Sequence, residues 1–163
     1  MKKNITQLPE IKLVGINVRT SNALEMNPAT AQIGATMQRF FMDSMQAKIL
    51  NRKKPGRVFA VYTDYESNEH GPYTYFLGEE VTIFDKTDDD FETLNISPQN
   101  YMKFTSSPGL MPKVVIDMWQ NIWKMTESDL GGQRTYLADF EIYDERSHDR
   151  NQAVVDVYIG IKQ

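Results

Sequence analysis

The chain of 163 residues contains no cysteine, which removes disulfide scaffolds, thiolate metal sites and cysteine nucleophiles together. It has only two histidines, His70 and His148, and no apolar run long enough to cross a membrane as a helix. The opening Met1-Lys2-Lys3-Asn4 leads into polar sequence without the apolar core of a secretory signal, so a cytoplasmic location is expected. Basic residues are in deficit as well, with 18 Lys and Arg against 22 Asp and Glu and a net charge of −4. That balance argues against direct nucleic-acid binding, whose affinity comes mostly from cations clustered on phosphates. The one basic cluster, Arg52-Lys53-Lys54 with Arg57, reads as a solvated loop. No Ser-His-Asp order, phosphate-binding loop or metal-ligand spacing is present, so neither a cofactor nor a metal is expected.

Aromatic surface and methionine are abundant by contrast: eight Tyr, eight Phe, two Trp and nine Met. Such residues fill cores, and they also line cavities for flat hydrophobic ligands. The length suits a single domain over 1–163 that buries its own core without covalent staples.

Periodicity divides the chain into two similar units. A strand over 11–20, interrupted by Gly15, precedes a helix that starts at Asn27-Pro28 and carries Ile33, Met37, Phe40, Phe41 and Met45 at helical spacing. Strands over 58–65 and 73–82 follow as a hairpin with a polar tip. The acidic stretch 85–90 punctuates the chain, and the order restarts. A strand over 94–105 is broken by Ser97-Pro98-Gln99-Asn100, and a second helix opens at Pro112 with Val114, Val115, Met118, Trp119, Ile122 and Trp123. Strands over 134–143 and 153–162 close the chain. Strand-helix-strand-strand thus occurs twice, over about 10–84 and 91–162, which predicts an α+β fold with pseudo-twofold symmetry. Its antiparallel sheet would carry two helices on one face and a ligand cleft between the halves.

One carboxylate calls for an explanation. Along 134–143, alternation puts Tyr136, Ala138, Phe140 and Ile142 on one apolar face, expected to lie under the helices, and Asp139, Glu141 and Tyr143 on the other. Aligning Tyr65 with Tyr143 sets Thr63 of the first unit against Glu141, so the acid belongs to one unit only. In the last strand Tyr158 is expected beside Glu141. A carboxylate between Tyr143 and Tyr158, closed by Trp119 or Trp123, would suit a flat hydrophobic cation. The alternative is a solvent-exposed Glu141 paired with Arg134 or Arg146.

The stretches Leu13-Val14-Gly15-Ile16, Met118-Trp119-Gln120-Asn121-Ile122-Trp123, Phe140-Glu141-Ile142-Tyr143-Asp144 and Asp156-Val157-Tyr158-Ile159-Gly160-Ile161 resemble the GyrI-like small-molecule-binding domain. This is the effector-binding domain of AraC- and MerR-type multidrug-responsive regulators, also found as stand-alone and integron-cassette proteins. The resemblance spans 11–162. It implies a cleft for lipophilic cations with Glu141 as the buried acid, Tyr143, Tyr158 and Trp119 as aromatic walls, and Met37 and Phe41 from the first helix. Gly160 stands where relatives usually have proline, a departure expected to loosen an edge strand.

Three functions follow from the resemblance. The first is a stand-alone protein that senses or sequesters cationic or amphipathic small molecules. The second is a hydrolase of reactive electrophiles that uses the pocket glutamate. The third is a contact with a protein partner, a regulator or a topoisomerase, for which the acidic stretch 85–90 with Glu92 is the candidate surface. His70 and His148 fall in polar hairpin tips and read as surface residues.

Overall fold

The computed structural model describes residues 1–85 and 89–163; residues 86–88 of the acidic stretch lie outside the described residues. Nine strands are present among the described residues: β1 Lys2–Leu8, β2 Ile11–Thr20, β3 Val58–Thr63, β4 Tyr73–Glu80, β5 Glu92–Ile96, β6 Gln99–Thr105, β7 Gln133–Arg134, β8 Ala138–Tyr143 and β9 Asp156–Lys162. The helices are α1 Asn22–Glu25, α2 Ile33–Met42, α3 Lys113–Trp123 and α4 Glu127–Leu130. No helix among the described residues is long and apolar enough to cross a membrane.

All strand pairs are antiparallel, in the order β1-β6-β9-β8-β3-β4-β2-β5, with the short β7 beside β9. This order is palindromic. Each unit contributes its three strands in the same relative order, and the two units meet where β3 pairs β8. The flanking strands exchange sides, since β1 pairs β6 of the second unit and β5 pairs β2 of the first.

Hydrophobic side chains form a core on each face of the sheet. One face is covered by the helices: Phe40 of α2 packs with Val14, Ala60, Tyr75 and Leu77, while Met118 and Ile122 of α3 pack with Val157 and Ile159. On the other face the sheet closes over Leu13, Phe59, Phe76, Tyr101, Phe140 and Tyr158, with no helix among the described residues. Strands buried on both sides lose the apolar-polar alternation of a half-exposed sheet. That is why the expected facing of β8 is inverted: Phe140 and Ile142 point away from the helices, and Glu141 lies under them. Tyr136 belongs to neither face, because it precedes β8 with a φ of 52°.

The first helix also starts later than its Asn27-Pro28 signal predicts. Ser21 caps the short α1, and the Glu25 carboxylate accepts the backbone N–H groups of Gln32 and Ile33, so α2 begins at Ile33. Gly15 is required by close approach: a Cβ there would lie 2.0 Å from the Leu77 carbonyl oxygen. Gly160 loosens no edge, since β9 lies between β6 and β8. Its N–H donates to Asp139 at 2.8 Å.

Candidate functional site

A cavity of about 1030 Å³ lies between α2 and α3, floored by β3, β4 and β8. Helical i, i+4 spacing stacks Ile33, Met37 and Phe41 in a column along α2, and Val115, Trp119 and Trp123 in a column along α3. The two columns form its walls. Met37 is partly buried, whereas Phe41 and Trp123 are half exposed at the mouth. His148, in the β8–β9 connection, is exposed and also reaches the lining.

Glu141 sits in the floor with 2% of its surface exposed. Directly across the strand pair stands Ala60; Thr63 is on the opposite face, so the Tyr65–Tyr143 alignment misplaces the equivalent position. Three donors converge on the carboxylate. Trp119 Nε1 donates to Oε2 at 2.7 Å, the Tyr62 hydroxyl donates to Oε2 at 2.8 Å, and the Tyr143 hydroxyl donates to Oε1. Burial raises the hydroxyl pKa values of Tyr62 and Tyr143 well above the usual range, so both remain protonated donors.

Burial also raises the Glu141 pKa above 4.5, against the opposing pull of its donors Tyr143, Trp119 and Tyr62. Hydrogen bonds to a charged group contribute about 1.5–3 kcal/mol each. Three of them offset much of the several kcal/mol needed to desolvate a carboxylate. No basic side chain among the described residues pairs with Glu141.

Asp139, one pleat away on the same strand, shows the contrast. It is fully buried and accepts from Arg134 at 2.7 Å, from the Tyr65 hydroxyl at 2.7 Å and from the Gly160 N–H. Asp156 is likewise buried and paired, with Arg146 at 2.6 Å. The two arginines weighed as partners of Glu141 are therefore committed to other acids.

The structure brings Glu141, Tyr143, Trp119, Met37 and Phe41 to one cavity. Tyr158 is elsewhere. It pairs across the strands with Phe140, stacks on that ring at 4.7 Å and 21°, and lies in the core of the helix-free face. The reason is register: β9 sets Val157, not Tyr158, beside Glu141. Sequence reasoning missed Tyr62, whose ring meets Trp119, Tyr73 and Tyr75 edge-on at 5.2–5.5 Å. No local signal pointed to it, because its place beside Glu141 depends on the pairing of β3 with β8. Tyr73 and Tyr75 were missed as well, and both line the floor. Among the described residues no three His, Asp or Glu side chains converge on a metal-sized site.

The model of a family described as integron-associated effector binding protein matches residues 4–161. YobU of Bacillus subtilis (strain 168), named as a candidate transcriptional regulator, is 31% identical over 160 residues, covering 98% of each chain. The crystal structure of integron cassette protein VCH_CASS2, from the mobile metagenome of Vibrio cholerae, superposes with a TM-score of 0.78 at 28% identity, covering 98% of this chain and 95% of that one. SAV2435, solved with tetraphenylphosphonium bound, has the same fold, with a TM-score of 0.76 at 18% identity and coverage of 99% and 94%.

Proposed function

Because the chain belongs to the family of integron-associated effector binding proteins, we propose that it binds a hydrophobic organic cation between α2 and α3, with Glu141 as the counter-charge. The chain is thus an effector-binding protein related to transcription regulators, and its role is to sense or sequester such compounds. The observation that carries this reading is the buried Glu141 carboxylate, which has three hydrogen-bond donors and no basic partner among the described residues. Neutral donors hold a carboxylate in place without neutralising it. A cation entering the cavity supplies the missing charge where the attraction is several-fold stronger than in water.

The walls supply the rest of the recognition. Trp119, Trp123, Tyr62 and Phe41 offer π faces and edges to a flat or aryl-bearing cation. The relative SAV2435 binds such a compound, tetraphenylphosphonium. A hydrolytic use of Glu141 is less well supported by the geometry. A general base or nucleophile needs a free lone pair directed at its substrate, and here three of the carboxylate's roughly four lone-pair sites already accept hydrogen bonds, which leaves one, on Oε1.

Both tryptophans of the chain line the cavity, so intrinsic fluorescence reports occupancy directly. Titration with tetraphenylphosphonium is expected to give a saturable change, and a neutral triaryl compound of similar size to bind at least about ten-fold more weakly. Equal binding of the two would overturn the charge-recognition reading.

A further inference from the structure

Five tyrosines line the cavity, and four of their hydroxyls are committed. Tyr62 and Tyr143 donate to Glu141, Tyr65 to Asp139, and Tyr73 to the Asn22 side-chain oxygen at 2.8 Å. Tyr75 differs. Its hydroxyl is fully buried and has no hydrogen-bond partner among the described residues. A buried hydroxyl left unpaired is costly, and a ligand group that hydrogen-bonds to it would remove that cost.

The position of this hydroxyl says what kind of group that is. Tyr75 shares its cavity with two carboxylates, Glu141 and Glu25, and pairs across the strands with Tyr62, whose hydroxyl donates to Glu141. Its neighbour Tyr73 donates to Asn22 of α1, the helix that ends at Glu25, so the row Tyr73–Tyr75 on β4 runs from the Glu25 side of the cavity toward Glu141. Glu25, like Glu141, has hydrogen-bond donors and no basic partner among the described residues: it accepts the N–H groups of Gln32 and Ile33 and the Thr20 hydroxyl at 2.6 Å. An anion or a carbonyl at Tyr75 would be repelled by both acids. A protonated amine would be attracted by both, and its N–H would find the phenolic oxygen as an acceptor.

Building on the cation reading above, we propose that the preferred ligand class is a dication. One charged group lies against Glu141, and a second, N–H-bearing ammonium lies toward Tyr75 and Glu25. The space fits such a molecule, since about 1030 Å³ is at the upper end of the range for drug-sized ligands and leaves room for a linker between the charges. Tyr75 is the specificity-determining residue of this second pole.

The test is calorimetric titration of the full chain with three probes: tetraphenylphosphonium, an alkyltrimethylammonium, and the same alkyltrimethylammonium bearing a terminal primary ammonium, the last in a series of chain lengths. Wild type is expected to bind the best-fitting dication about ten-fold or more tightly than its matched monocation. Tyr75→Phe, which removes one oxygen and keeps the ring, should bring the dication down to the affinity of its matched monocation; Glu25→Gln should reduce the preference in the same sense. If mono- and dications of every length bind wild type equally while tetraphenylphosphonium still binds, the dication proposal fails and the cation reading stands. If no cation binds, both fall. A preference that survives intact in Tyr75→Phe also overturns the assignment of Tyr75.

Discussion

The indole N–H of Trp119 and the carboxylate of Glu141 lie 2.7 Å apart, joining α3 to the central strand β8. This bond sets both the position of the cavity wall and the orientation of the charge beneath it. Replacing Trp119 with Phe keeps an aromatic wall and removes the donor. Loss of one hydrogen bond to a buried charge is expected to cost about 1.5–3 kcal/mol in urea unfolding. Cation affinity should fall as well, because the carboxylate is no longer held toward the cavity. A variant that keeps wild-type stability and affinity would show the bond to be dispensable.

The pH dependence of binding has a definite sign. Burial raises the Glu141 pKa above its ordinary 4.5, so the folded protein holds this proton more tightly than the unfolded chain does. The group therefore favours folding at acid pH, and this contribution is lost as pH rises through the raised folded value. Cation binding runs the other way, since it needs the carboxylate. Affinity for a permanently charged ligand should be flat at high pH and fall toward about ten-fold per pH unit once Glu141 protonates. In Glu141→Gln that slope should vanish; fluorescence titrations across pH in both proteins check it.

Arg134 serves the neighbouring acid. Its guanidinium neutralises the fully buried Asp139 at 2.7 Å, so Arg134→Met leaves an unpaired charge in the core. The expected loss is about 3–5 kcal/mol in chemical denaturation. Most of it should return in the double variant with Asp139→Asn, in which the charge itself is gone. A loss below about 1 kcal/mol for the single change would mean that the pair behaves as a solvated one.

Much of the architecture was legible in the sequence, because it rests on element order. The two strand-helix-strand-strand units, the second helix opening at Pro112 and both hairpins follow from local signals that the structure repeats. Which face of each strand meets the helices was not legible. Val58, Phe59, Ala60 and Val61 are all buried, as are all but the last residue of β8, so alternation carries no direction there. The error at Tyr158 follows from that, since a slip of one residue in β9 moves its ring from the cavity to the far core. Glu141 was conspicuous because the position aligned with it in the first unit, Thr63, carries no acid. Tyr62 and Tyr75 were not, because their contribution depends on a pairing between distant strands. β1 was missed for another reason: it is an exposed edge strand of mixed polar residues, ordered by its pairing with β6.

The measurement that bears most directly on the account is calorimetric titration of tetraphenylphosphonium into wild type and Glu141→Gln. The amide preserves the shape of the side chain and removes its charge. Affinity is expected to drop at least about thirty-fold, the equivalent of about 2 kcal/mol, for loss of one partner of a buried charge pair. An affinity unchanged between the two proteins, with Glu141→Gln folded to wild-type stability, would contradict the assignment of Glu141 as the counter-charge.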